Sequence, residues 1–171
     1  LPAIRWGEPY ESLEVDEIKH FVTGEPVARV NTVGSGIVAR DAKLPLALQL
    51  LITPGTAAQS KFDSRERFSN GFLLEARGID WFFDHAIPRE QRDDWRFSPL
   101  HADDVSGVAP ACLIVAECDP LVDEGVAYAD KLRSAKVPVA LEIYKGVTHD
   151  FIKMGRALDE AHHAQAIAAD A

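Results

Sequence analysis

The chain has 171 residues, a net charge of −9, 47% hydrophobic and 26% charged residues. That length suits one domain, or a large piece of one, and buries roughly 70% of the unfolded surface, so a sizeable core needs no staples. The acidic balance argues against nucleic acid or an anionic membrane as partner, since both select a basic face.

The two cysteines, Cys112 and Cys118, lie on one extended segment and are too far apart along it to bridge. Reduced thiols are expected, which suits a cytoplasmic location. No apolar run approaches the ~20 residues of a membrane span. The N-terminus, LPAIRWGEPY, lacks the basic-then-apolar pattern of a secretion signal. It also lacks an initiator methionine, and the chain is expected to begin partway into a longer protein.

In chain order, apolar residues at 13, 15, 18, 21 and 22 predict a helix over Leu13–Val22, ended by Gly24 and Pro26. Val27–Val33 reads as a short strand and Gly34-Ser35-Gly36 as a turn. Ile37–Ala42 reads as one or two helical turns. Leu46–Ile52, LALQLLI, is an apolar run of strand length ended by Pro54-Gly55, of the kind found in parallel sheets covered on both faces. Thr56–Ser69 is polar and reads as a surface excursion. Phe72–Ala86 has a helical pattern, with Ile79, Phe82, Phe83 and Ala86 on one face.

The stretch from Ala111 to Phe151 carries the strongest organisation. Cys112–Ala116 is five apolar residues, a strand buried on both faces. A helix from about Val122 to Ala135 and a strand over Val139–Tyr144 follow. A final alanine-rich helix, about Gly155–Ala169, should pack by a narrow stripe. Strands alternating with helices from Leu46 onward predict an α/β fold with a mostly parallel sheet.

Two residues in this stretch stand where chemistry is done. Asp119 follows one strand and His149 the next, and open α/β sheets bind ligands at the carboxyl ends of their strands. A right-handed crossover brings both loops to one edge, where a carboxylate can orient an imidazole that acts as general base near neutral pH. Taken alone, Asp119 also reads as a helix cap or turn residue, and His149 as an ordinary loop histidine. Asp123 and Glu124 fall in a first helical turn, where the macrodipole favours negative charge. Glu117 either accepts hydrogen bonds from the turn or faces solvent. His162 and His163 are adjacent on a helix and point about 100° apart, so they make no metal pair. His20, His85 and His101 are isolated. Neither a metal nor an organic cofactor is expected.

From about Ile37 to the end the chain resembles the C-terminal portion of the α/β-hydrolase fold, in the hormone-sensitive-lipase-like esterase group. The resemblance rests on LPLALQLLITPGT (44–56), FSNGFLL with IDWFFDHAIP (68–88), DDWRFSPLHADDVSGVAPACLIVAECDPLVDEGVAYADKLRSAKVPV (93–139) and YKGVTHDF (144–151). It implies a mostly parallel sheet flanked by helices and a serine-type hydrolase of short-chain carboxylic esters. Asp119 would be the triad acid and His149 the base. Residues 57–97 would form part of a helical cap, with Phe72, Leu74, Trp81 and Phe82 as apolar walls. The substrate would be a small-molecule ester, and a homodimer would form through the edge strand 139–144. Residues 1–36 do not match the group's upstream region and stay unassigned.

The chain departs from the group's pattern in ways that bear on activity. It contains no Gly-x-Ser-x-Gly elbow and no adjacent glycines for a His-Gly-Gly oxyanion loop. Ser35, flanked directly by Gly34 and Gly36, does not take the elbow role. The nucleophile is therefore unknown, and little or no esterase turnover is expected from this chain alone. Asp150 stands where the group usually has glycine, and Thr53 where it usually has tyrosine. Two other readings stay open: a non-catalytic fragment or interaction module, and a dinucleotide-binding oxidoreductase using Gly34–Ala39, which formally fits Gly-x-Gly-x-x-Ala.

Overall fold

The structure, a computed structural model, describes residues 36–171 except residue 60, together with the backbone of four short strands before them. These are β1 (Ala3–Arg5) and β2 (Glu8–Tyr10), paired antiparallel, and β3 (Val15–Lys19) and β4 (Pro26–Asn31), also antiparallel. β4 covers most of the strand expected over Val27–Val33. β3 replaces the core of the helix expected over Leu13–Val22. The segment Val-Asp-Glu-Ile carries β-branched residues at both ends. Cross-strand pairing with β4 then outweighs a helical stripe that Gly24 and Pro26 would cut short.

Helix α1 (Gly36–Asp41) leads to β5 (Gln49–Ile52), shorter than the apolar run that announces it. Gln49 is buried and its Nε2 donates to the Ala109 carbonyl oxygen at 2.6 Å. The amide lies over the Cα of Gly36, where any Cβ would collide with it. Strands β6 (Ala111–Cys118) and β7 (Val139–Thr148) complete a parallel sheet in the order β5-β6-β7.

β6 is the central strand, and Cys112 to Ala116 are at most 1% exposed, as the uninterrupted apolar run requires. Its alternate side chains feed two cores. Leu113 points into a cluster with Ile37, Val105, Val108, Tyr128, Ala129 and Leu132, closed by helix α4 (Val122–Ser134). Cys112, Ile114 and Ala116 face Tyr144, Val147, Phe151 and Ala164, closed by helix α5 (Asp159–Asp170). Each large side chain so buried contributes about 1.5–3 kcal/mol. The final helix packs through Ala161 and Ala164, the expected narrow stripe, and begins four residues later than the sequence suggests, after a turn over residues 155–157. Burial also pushes the Cys112 thiol up, which keeps it protonated and inert.

Tyr128 sits in the first core, 1% exposed, and its hydroxyl finds no hydrogen-bond partner among the described residues. Burial pushes this phenol up to about 12. A raised folded-state value means that the neutral phenol's contribution to stability is complete below the ordinary value of 10.0 and is lost as pH rises through about 12. Tyr128→Phe should therefore raise stability by about 1 kcal/mol in urea unfolding at pH 7 and flatten the loss of stability above pH ~10. A clear destabilisation by the phenylalanine would show that the hydroxyl has a partner.

Between β5 and β6 lie helices α2 (Asp63–Arg67) and α3 (Ala76–Ala86). Residues 56–69 are not the plain surface excursion their polarity suggests. Thr56, Ala57 and Ser64 are each 1% exposed, because they pack under the start of α4. In α3, Ile79 is buried and Phe83 is half-buried, its ring edge-on to Phe97 at 5.3 Å between centroids. Trp81 and Phe82, by contrast, are exposed. No helix among the described residues is long and apolar enough to cross a membrane.

Candidate active site

Asp119 is the first residue after β6 and His149 the first after β7. His149 Nδ1 lies 2.7 Å from Asp119 Oδ2. The second carboxylate oxygen, Oδ1, accepts the Leu121 backbone N–H at 2.9 Å. Asp119 is 1% exposed, while the His149 side chain keeps 19% of its surface accessible. A buried carboxylate fixed by a backbone donor and facing one ring nitrogen selects the tautomer with the proton on Nδ1, leaving Nε2 as an acceptor. The hydrogen bond that Asp119 makes to Leu121 is also the turn contact its sequence position suggests, so the two readings of this aspartate coexist.

The sheet register explains why these two residues meet. From Ala111 opposite Val139 to Ala116 opposite Tyr144 the parallel pairing runs without interruption. It then shifts, and Cys118 stands opposite Thr148. β6 advances two residues while β7 advances four, a bulge carried by residues 145–147 with Gly146 at φ +70°. Gly146 adopts this left-handed conformation without a Cβ penalty. Its N–H donates to Glu117 Oε2 at 2.8 Å. Beyond the bulge, Asp150 is also left-handed, at φ 62° and ψ 8°. This explains why glycine suits the position after the histidine. The Asp150 carboxylate turns to Lys153 Nζ at 2.8 Å.

The segment after Asp119 does more than start a helix. Asp123 Oδ2 accepts the Ser64 backbone N–H at 2.8 Å, and Ser64 Oγ donates to the Pro120 carbonyl oxygen at 2.9 Å. Glu124 is fully buried. Its Oε1 accepts the N–H groups of Thr56 at 2.6 Å and Ala57 at 3.1 Å, and its Oε2 pairs with Arg65 Nη2 at 3.2 Å. Arg65 in turn lies over the Phe83 ring, 5.8 Å from its centroid. Burial pushes the Glu124 carboxyl above its ordinary range, against the pull of Thr56 and Arg65. One turn thus holds both the imidazole's partner and the chain that leads into α2. Asp123 and Glu124 do fall in the first turn of α4, where the macrodipole favours them, but their long-range partners are not visible in the sequence. No local signal around them reveals which distant backbone they serve.

Of the apolar walls expected in 57–97, Phe72 and Leu74 are half-buried and Trp81 and Phe82 open. Gly34 and Ser35 of the Gly34–Ala39 motif lie outside the described residues. Gly36 opens a helix of six residues, and the space above its Cα is occupied by Gln49. Among the described residues no group of His, Cys, Asp and Glu could hold a metal ion.

A parallel α/β sheet with an aspartate–histidine couple at its carboxyl edge is the frame of a nucleophile-based hydrolase. Residues 30–153 match the sequence model of the alpha/beta hydrolase fold, and the chain belongs to that family, in its hormone-sensitive-lipase-like esterase group. It is 41% identical over 165 residues to the ethyl acetate hydrolase of Pseudomonas putida, covering 94% of this chain and 52% of that protein. It is 43% identical over 109 residues to the carboxylic ester hydrolase LipN of Mycobacterium tuberculosis, covering 63% of this chain and 29% of that one. Among solved structures it resembles the Pyrobaculum calidifontis esterase, with a TM-score of 0.75 and 34% identity over 81% of this chain and 47% of that one. An α/β hydrolase from the metagenome of Lake Arreo, Spain, solved as a serine-to-alanine mutant, gives a TM-score of 0.75 and 35% identity over 81% and 45%. The chain spans about half the length of the ethyl acetate hydrolase and of these two structures, and under a third of LipN.

Proposed function

We propose that the chain carries the acid–base half of a serine-type carboxylic ester hydrolase acting on short-chain esters. The observation that carries this reading is the 2.7 Å contact between His149 Nδ1 and the buried Asp119 carboxylate at the carboxyl edge of a parallel sheet. His149 Nε2 takes the proton of a serine hydroxyl as that oxygen attacks the ester carbonyl, then returns it to the departing alcohol. Asp119 holds the Nδ1–H tautomer and stabilises the imidazolium while it lasts. Residues 57–97 contribute part of a cap, with Phe72, Leu74, Trp81 and Phe82 toward the acyl group. The open edge of β7 is the surface for a homodimer, where Ile143 is 48% exposed.

The serine that this couple would serve is not recognisable in residues 1–171. The purified chain should accordingly hydrolyse p-nitrophenyl acetate at the buffer rate and take up no fluorophosphonate. Robust hydrolysis abolished by His149→Ala, with a labelled serine found by peptide mapping, would place the nucleophile within the chain and overturn that part of the reading. Background rates with no label agree with it.

A further inference from the structure

We propose that Glu117 is a positioning residue for His149, acting through the backbone of the β7 bulge. This rests on the reading of Asp119 and His149 as acid and base. An unbroken parallel register would continue the alignment of Ala116 with Tyr144 and set Asp119 beside Val147, not His149. The two extra residues of β7 correct the alignment, and they must be held in place, since a bulge leaves backbone groups outside the ladder. The Gly146 N–H is such a group, turned by its positive φ toward β6, and Glu117 Oε2 receives it at 2.8 Å.

Glu117 and Asp119 therefore grip β7 from one strand end. One carboxylate takes the backbone at Gly146 and the other the ring of His149, with Cys118 between them paired to Thr148. Glu117 is exposed, in contrast to Asp119, so its side chain adds nothing to the core. Its removal frees the bulge without opening a cavity. A charged acceptor on a backbone donor is among the stronger hydrogen bonds, and its loss lets residues 145–147 sample other conformations in which His149 leaves Asp119.

The test is 15N-edited NMR of the full chain, reading the ring-nitrogen shifts of His149 and the exchange of its Nδ1 proton. The wild type should show one tautomer, protonated at Nδ1. Glu117→Gln, whose amide oxygen still accepts the Gly146 N–H, should keep it. Glu117→Ala should mix the tautomers and speed Nδ1 exchange about tenfold, while the amides of α4 and α5 stay unshifted. Should Glu117→Ala disturb α4 and α5 as well, Glu117→Asp, one methylene shorter with the charge kept, is read by the same two signals. Ring signals unchanged in the alanine variant, or in the aspartate variant where that one decides, would overturn the inference. Asp119→Asn separates the two readings. If it too leaves His149 unchanged, the couple itself is not formed and both fall; if it changes His149 while the Glu117 variants do not, only the role of Glu117 falls.

Discussion

Asp119→Asn should reduce ester hydrolysis about 10⁴-fold when it is tested where a nucleophile is present. A suitable setting is a chimera in which residues 37–171 replace the matching segment of the Pseudomonas putida ethyl acetate hydrolase. The size of the effect follows from the two contacts of this carboxylate. Oδ1 accepts the Leu121 N–H and Oδ2 faces His149 Nδ1. An asparagine in the same rotamer keeps its oxygen on Leu121 and must turn its NH₂ toward His149. A donor there requires Nδ1 to be the acceptor, which moves the imidazole proton to Nε2. The ring then presents a proton to the serine instead of a lone pair. The substitution keeps shape and volume, so the variant should fold, and the loss should appear in kcat more than in KM.

Glu124→Ala should cost about 3 kcal/mol of stability, the scale for removing one partner of a buried ion pair. It leaves the N–H groups of Thr56 and Ala57 without their acceptor and Arg65 without its carboxylate, in a place that water reaches poorly. Glu124→Gln should cost less, since an amide oxygen can still accept one of the two N–H groups. The pH dependence has a definite sign. Burial outweighs the favourable contacts and raises the folded-state value above 4.5. The contribution of this carboxyl to stability is then complete below pH ~4.5 and declines as pH rises through the folded value. Urea unfolding of wild type and Glu124→Gln at pH 4 and pH 7 should show the larger gap at pH 4. A larger gap at pH 7 would mean that the ion pair with Arg65, not burial, governs the group.

These two carboxylates differ in how much of them could be read from the residues. The contact between Asp119 and His149 is legible because strand ends are marked by local signals: an apolar run, then an acidic turn with a proline, then a second run and a glycine. Topology supplied the rest, since a right-handed crossover sets neighbouring loops at one edge. The bulge was not legible. The sequence ends this strand at Tyr144, and nothing in Lys145-Gly146-Val147 states that β7 continues to Thr148 with two residues more than its partner. Glu124 is legible only in part, since it does fall in the first turn of α4 as its position suggests. A glutamate in a first helical turn has an adequate local explanation, and only the packing of Thr56, Ala57 and Arg65 around it reveals another. The early helix over Leu13–Val22 gives way to β3 because Val15 and Ile18 of its stripe suit a strand equally well, and pairing with β4 is invisible to a single-segment count.

The arrangement ties two tasks to one short segment. Residues 117–124 hold the β7 bulge through Glu117 and the imidazole through Asp119. They hold the entry to α2 through Asp123 and Glu124. Ser64 of α2 joins the same segment by donating its Oγ hydrogen to the Pro120 carbonyl oxygen.

Whether His149 is the base of an ester-cleaving serine is decided by the rate of ethyl acetate hydrolysis in the same chimera with and without His149→Ala. The intact chimera should hydrolyse the ester, and the alanine variant should lose at least about 10³-fold. An alanine variant as active as its parent would contradict that role.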